Sequence, residues 1–149
     1  MKFVVQTNDA WSSFILRVML GVVILPHGAQ KLLGWFGGHG FVGTMAFFTE
    51  RMHVPSALAL LVILAESIGG LGLIIGFLTR LTAFGLACIM ATAIWTVHWP
   101  YGFFMNWSGK KAGEGFEYPL LAIAISVALA ITGPGKWSVD RAIAKRLTG

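Results

Sequence analysis

Four apolar runs constrain this chain more than any other feature it carries. They lie at about 12–33, 56–77, 79–99 and 116–132. A helix needs about 20 predominantly apolar residues to cross a hydrocarbon core of about 30 Å. The runs are continuous, with none of the period-two alternation that lumen and lipid faces impose on barrel strands. The expected fold class is therefore all-α: a membrane-embedded four-helix bundle formed by residues 1–149 as a single domain.

Composition removes the soluble alternative. Charged residues make up 11% of the chain and hydrophobic ones 56%, with a mean hydropathy of +0.77. A soluble domain carries about 25% charged residues, and a chain this poor in charge cannot cover a water-facing surface. The net charge of +5 is not a nucleic-acid footprint, because the basic residues sit at helix ends and in the tail rather than in a stripe that could follow phosphates. The single cysteine, Cys88, lies in an apolar run and reads as a small packing residue; it allows neither an internal disulfide nor a CxxC pair. The first run carries Arg17, His27 and Lys31 and lacks a small-x-small cleavage site after a charge-free core, so it reads as a resident span rather than a cleaved leader.

Between the first two spans lies GWFGGHGF, Gly34 to Phe41, followed by a short apolar piece over 42–52 that reads as an interfacial or re-entrant helix. With four spans, Lys2, Arg80, Lys136, Arg141, Lys145 and Arg146 fall on one side, and Arg51, Lys110 and Lys111 on the other. This excess places both termini in the cytoplasm by the positive-inside rule. Trp11 and Trp137 then mark the inner boundary, and Trp35, Trp99 and Trp107 the outer one, as an aromatic belt would.

Ionisable residues inside spans are costly and usually face the bundle interior or a wet cavity. Here they are Arg17, His27 and Lys31 in the first span, Glu66 in the second, His98 closing the third and Glu117 opening the fourth. On a helix at about 100° per residue, Arg17, His27 and Lys31 share one side, and Gly21 and Gly28 would let a neighbouring helix approach closely. By depth, His27 lies about 9 Å below the outer end of its helix and Glu66 about 15 Å below the outer end of the second. His27 is thus the expected partner of Glu66, with Arg17 and Lys31 as alternatives. Pro26 removes a backbone donor beside His27 and predicts a kink there.

Each of these residues also has a plainer reading. Arg17 and Lys31 could snorkel to headgroups, and His98 and Glu117 could simply close the outer rim. Glu66 is too short to snorkel from mid-membrane. Together the set reads as a polar pocket between helices, open toward the outer leaflet, with Glu66 at its floor.

The chemistry such a pocket suits is limited. No dense metal-ligand motif is present; haem ligation by His27 and His98 has only two separated histidines behind it. No nucleophile stands beside a base, so no catalytic residue is assigned. His, Lys or Arg and Glu flanked by aromatics do suit an amphipathic molecule with polar oxygens, such as a quinone head group whose tail lies in lipid.

The segments LRVMLGVVILPHGAQKLLGWFGG (Leu16 to Gly38), LAESIGGLGLIIGFLTRLTA (Leu64 to Ala83), VHWPYGFF (Val97 to Phe104), GFEYPLLA (Gly115 to Ala122) and GPGKWSVD (Gly133 to Asp140) resemble the DoxX family of small four-helix bacterial membrane proteins. The resemblance covers nearly the whole chain. It implies a multi-pass protein of the bacterial cytoplasmic membrane associated with redox systems: a related DoxD-type subunit belongs to a thiosulfate:quinone oxidoreductase, and some members are linked to oxidative-stress complexes. With no cysteine pair and no strong haem motif, the chain is expected to bind a quinone for an oxidoreductase partner that supplies the electrons. Two other expectations stay open, a small proton-coupled transporter using His27 and Glu66, and a non-catalytic assembly or anchoring subunit.

Overall fold

A computed structural model describes residues 9–148. Lys2, counted above toward the inner-side charge, lies outside the described residues. The described chain is all-helical, with six α-helices and no strands. Helix α1 spans Trp11–Leu33, α2 Gly40–Ala46, α3 Ser56–Ile75, α4 Thr79–Ala93, α5 Glu117–Thr132 and α6 Val139–Thr148. Three helical stretches are long and apolar enough to cross a membrane: Trp11–Leu33, Ser56–Ile75 and Thr79–Tyr101. The protein is a membrane protein. The fourth apolar helix, α5, has 16 residues, a length of about 24 Å.

Local chemistry sets the helix ends. Gly34 closes α1 in the left-handed region (φ 75°), its N–H donating to the Ala29 carbonyl. Gly76 closes α3 in the same way (φ 73°), and stops it two residues short of the end of its apolar run. The α2 helix runs on through a π turn, Phe47–Arg51, and α4 through a π turn, Ile94–His98, and a 3-10 turn, Trp99–Tyr101. Helix α1 passes through Pro26 without a break.

Packing follows the small residues. Helix α1 lies on α3, α3 on α4, α4 on α5 and α5 back on α1. The shared core holds Leu20, Ile24, Leu73, Ala83, Leu86, Met90, Ala122 and Leu129. The α1–α3 contact is backbone against backbone. A Cβ on Gly28 would lie 2.4 Å from the Ser67 main chain, and one on Gly21 2.8 Å from the Gly70 carbonyl oxygen. These two glycines realise the close approach expected of them, and the helices run antiparallel with Gly28 level with Glu66 and Ser67.

One end of the protein is tied by two buried charged residues. Arg17 is fully buried. Its Nε donates to Pro134 O (2.8 Å), Nη1 to Leu73 O (2.9 Å) and Ile74 O (2.5 Å), and Nη2 to Lys136 O (3.0 Å) and Trp137 O (2.7 Å). The last carbonyls of a helix lack intrahelical partners and carry its negative dipole end, so one guanidinium satisfies the end of α3 and the loop after α5 together. Asp140, also fully buried, accepts the N–H groups of Leu78 (2.8 Å) and Thr79 (2.9 Å). A carboxylate from α6 thereby caps the first turn of α4, where neighbouring side chains supply no cap.

Candidate functional site

The close α1–α3 contact brings a second pair of charges together at the opposite end. Lys31 Nζ bonds Glu66 Oε2, with the Lys31 side chain 25% exposed and that of Glu66 5%. This corrects the depth argument, which paired Glu66 with His27. The depths themselves hold, since the helix backbone beside Glu66 is that of Gly28. Depth alone omits the direction in which each side chain leans. Helical side chains lean toward their own N-terminus, so in two antiparallel helices Lys31 leans toward the Arg17 end while Glu66 leans away from it. A lysine one turn further along α1 therefore meets the carboxylate over the top of Gly28.

Among the described residues Lys31 is the only hydrogen-bond or ion-pair partner of Glu66. A carboxylate can accept about four hydrogen bonds, so acceptor capacity remains at a buried position. Glu66 is also an electrostatic neighbour of His27 and Tyr118. Their rings face each other across α1 and α5, 6.1 Å between centroids and tilted by 32°.

The two rings differ in access. The outward stripe of α1 runs Ile15, Met19, Val22, Val23, Pro26 and His27, all exposed on the protein surface. His27 therefore belongs to the face that the apolar neighbours of α1 turn toward lipid, not to the buried stripe of Arg17, Gly21, Ile24 and Gly28. The Tyr118 hydroxyl is buried and has no hydrogen-bond partner among the described residues. An unsatisfied buried hydroxyl costs about 1–3 kcal/mol.

Lys31 also reaches a second environment. With Gln30, His39, Thr44, Phe47 and Phe48 it lines an open cleft of about 280 Å³ between the end of α1, the turn Trp35–Gly37 and α2. Lys31 thus belongs both to this cleft and to the ion pair.

The remaining residues singled out from sequence lie elsewhere. Arg17 is set apart at the other end, its five hydrogen bonds all made to main-chain carbonyls. His98 Nδ1 lies 2.8 Å from the Glu114 carbonyl oxygen, and Glu117 Oε2 accepts the Met105 N–H at 3.1 Å. Both secure the loop between α4 and α5. Phe116 stacks on Trp99 in the same loop, and Lys111 Nζ donates to the Phe104 carbonyl. Tyr118 is the residue sequence reasoning passed over. Its signal is a phenol one position past Glu117 in an apolar helix, which a search confined to groups charged near neutral pH does not register.

The family model described as DoxX matches residues 12–99. The chain is 37% identical over 132 residues to the inner membrane protein YqjF of Escherichia coli (strain K12), covering 89% of this chain and 92% of that protein. It is 29% identical over 128 residues to a Bacillus subtilis (strain 168) protein named "Putative oxidoreductase CatD", covering 86% of this chain and 84% of that one. No solved structure matches the chain.

Proposed function

The chain belongs to the DoxX family, and from that premise we propose an inner-membrane protein that holds a quinone-class ligand at the Lys31–Glu66 site for an oxidoreductase partner. All four apolar helices cross the bilayer in this reading. Helix α5 completes its crossing because the main chain flanking it is already bonded within the protein: Phe116 N–H to Gly102 O, Glu117 N–H to Phe103 O and Gly133 N–H to Leu129 O. Both termini lie in the cytoplasm, where Arg80, Lys136, Arg141, Lys145 and Arg146 outnumber Arg51, Lys110 and Lys111 on the outer side.

The observation that carries the proposal is a buried ion pair backed onto a lipid-facing histidine. A polar group on the outward stripe of a spanning helix is expensive in hydrocarbon, and His27 is placed there beside a carboxylate with spare acceptor capacity. A ligand that arrives through lipid and carries polar oxygens would use both features, whereas a water-soluble one would not need His27 on that face. The donor set fits a quinone head group: the imidazole donates or accepts a hydrogen bond, and Lys31 supplies positive charge behind it. When bound, such a group supplies two-electron, two-proton redox chemistry. The chain's own part is to orient the head group, exclude water and hold a proton on His27 or Glu66. The inner-membrane setting of YqjF and the oxidoreductase name of CatD support the same reading.

Mass spectrometry of the organic extract tests it, with detergent-purified wild type beside Glu66→Gln. A quinone near stoichiometric in wild type and depleted in the variant is expected; only bulk phospholipid in both would reject it. One observation favours a second reading. Lys31 touches both the outer cleft and Glu66, as a proton relay would require. Proton-coupled uptake into sealed vesicles, abolished by Glu66→Gln, would favour transport over ligand holding.

A further inference from the structure

We propose that the Tyr118 hydroxyl is the hydrogen-bond donor that fixes a carbonyl oxygen of the quinone-class ligand. The proposal rests on the ligand reading above and adds to it a residue that reading does not use. Three features of the structure meet at this atom. The hydroxyl is buried without a partner among the described residues, although buried polar groups are almost always bonded. Its ring stands against that of His27, the lipid-facing member of the site. Glu66, the buried carboxylate, is its electrostatic neighbour.

The residue's position gives the donor its purpose. Helix α5 buries Pro119 and Ala122 close to Tyr118 in sequence, and the buried phenol oxygen has its bonding capacity unused among the described residues. Lys31 is already engaged by Glu66, which leaves Tyr118, beside the His27 imidazole, as a neutral donor of the site. A ligand oxygen between His27 and Tyr118 would receive a hydrogen bond from the phenol on one side and meet the imidazole on the other. This arrangement selects for a carbonyl acceptor: a hydrocarbon lipid would leave the hydroxyl as it is.

The test uses the full chain in nanodiscs with a short-tail benzoquinone, 13C-labelled at its carbonyls, on wild type, Tyr118→Phe and Glu66→Gln. In wild type one carbonyl stretch should move to lower frequency on binding. In Tyr118→Phe that shifted band should be lost and binding weakened about tenfold, the worth of one hydrogen bond to a ligand. The ligand-free melting temperature of Tyr118→Phe should equal or exceed that of wild type, because the removed hydroxyl makes no bond among the described residues. Unchanged affinity and carbonyl bands in Tyr118→Phe, with binding lost in Glu66→Gln, would overturn the role of Tyr118 and leave the site standing. A lower ligand-free melting temperature in Tyr118→Phe would overturn it too, by showing that the hydroxyl serves the fold. No binding by wild type above empty nanodiscs would overturn both the donor and the ligand reading.

Discussion

The two ends of this protein bury charge in opposite ways. At one end Arg17 makes five hydrogen bonds to carbonyls of α3 and the 133–137 loop, and both oxygens of Asp140 are bonded to the start of α4. All five N–H donors of Arg17 and both oxygens of Asp140 are engaged, and only the Thr79 hydroxyl beside them is buried without a partner among the described residues. At the other end, among the described residues, Glu66 has one partner, Tyr118 has none at its hydroxyl, and His27 stands on the exposed apolar stripe of α1. A saturated polar cluster can stabilise a fold but has nothing to offer a ligand. An unsaturated one costs stability and keeps bonding capacity. The contrast separates structural charge from candidate functional charge in a way that residue type alone does not.

The sharpest way to break the comparison is at the saturated end. Arg17→Met should leave several buried carbonyls of α3 and the 133–137 loop without a donor, at about 3–5 kcal/mol, the upper range for one substitution. For a chain of this size the thermal midpoint in detergent should fall by about 10 °C or more. Ligand content per folded molecule should be unchanged. Depletion of ligand from folded Arg17→Met protein would join the two ends into one site and end the distinction.

The next effect in size comes from the seam that creates the site. Gly28→Ala places a Cβ 2.4 Å from the Ser67 main chain, and backbone cannot swing aside as a side chain would. The helices must separate, costing about 1–3 kcal/mol. Because Lys31 and Glu66 meet across this contact, the variant should lose ligand as well as stability. A variant equally destabilised but fully loaded would show that the ion pair does not depend on the seam.

How much of this was legible beforehand follows from what each feature is made of. The apolar helices, the close approach at Gly21 and Gly28 and the short list of ionisable residues within the apolar runs are written in side chains at local spacing. The Arg17 cage is not, because its partners are main-chain carbonyls 56 to 120 residues away in sequence, and any residue has a carbonyl. Asp140 reads as an ordinary first-turn acid of an amphipathic tail; that it caps another helix depends on how the 133–137 loop returns the chain. The Lys31–Glu66 pairing lay within reach, since the lean of side chains toward helix N-termini follows from chain direction alone. Tyr118 went unremarked because burial, not charge, is what makes its hydroxyl consequential.

The smallest expected change in stability is the most informative for the ion pair. Glu66→Met alone removes the partner of a partly buried ammonium, but Lys31 also lines the open cleft beside α2 and can turn its charge to water there. The cost should therefore fall below the about 3–5 kcal/mol typical of breaking a fully buried pair. In Lys31→Met/Glu66→Met neither charge remains. Replacing a buried ion pair with apolar side chains of similar volume is often neutral or stabilising, so the double variant should melt at or above the wild-type temperature while holding no quinone. The Arg17 end offers no such substitution, since removing the guanidinium strands carbonyls that cannot themselves be mutated. Thermal melts and extracted-ligand analysis of the double variant would decide the matter. A loss of stability as large as that of Arg17→Met would make Lys31–Glu66 a second structural tie, and the case for a ligand would then rest on His27 and Tyr118 alone.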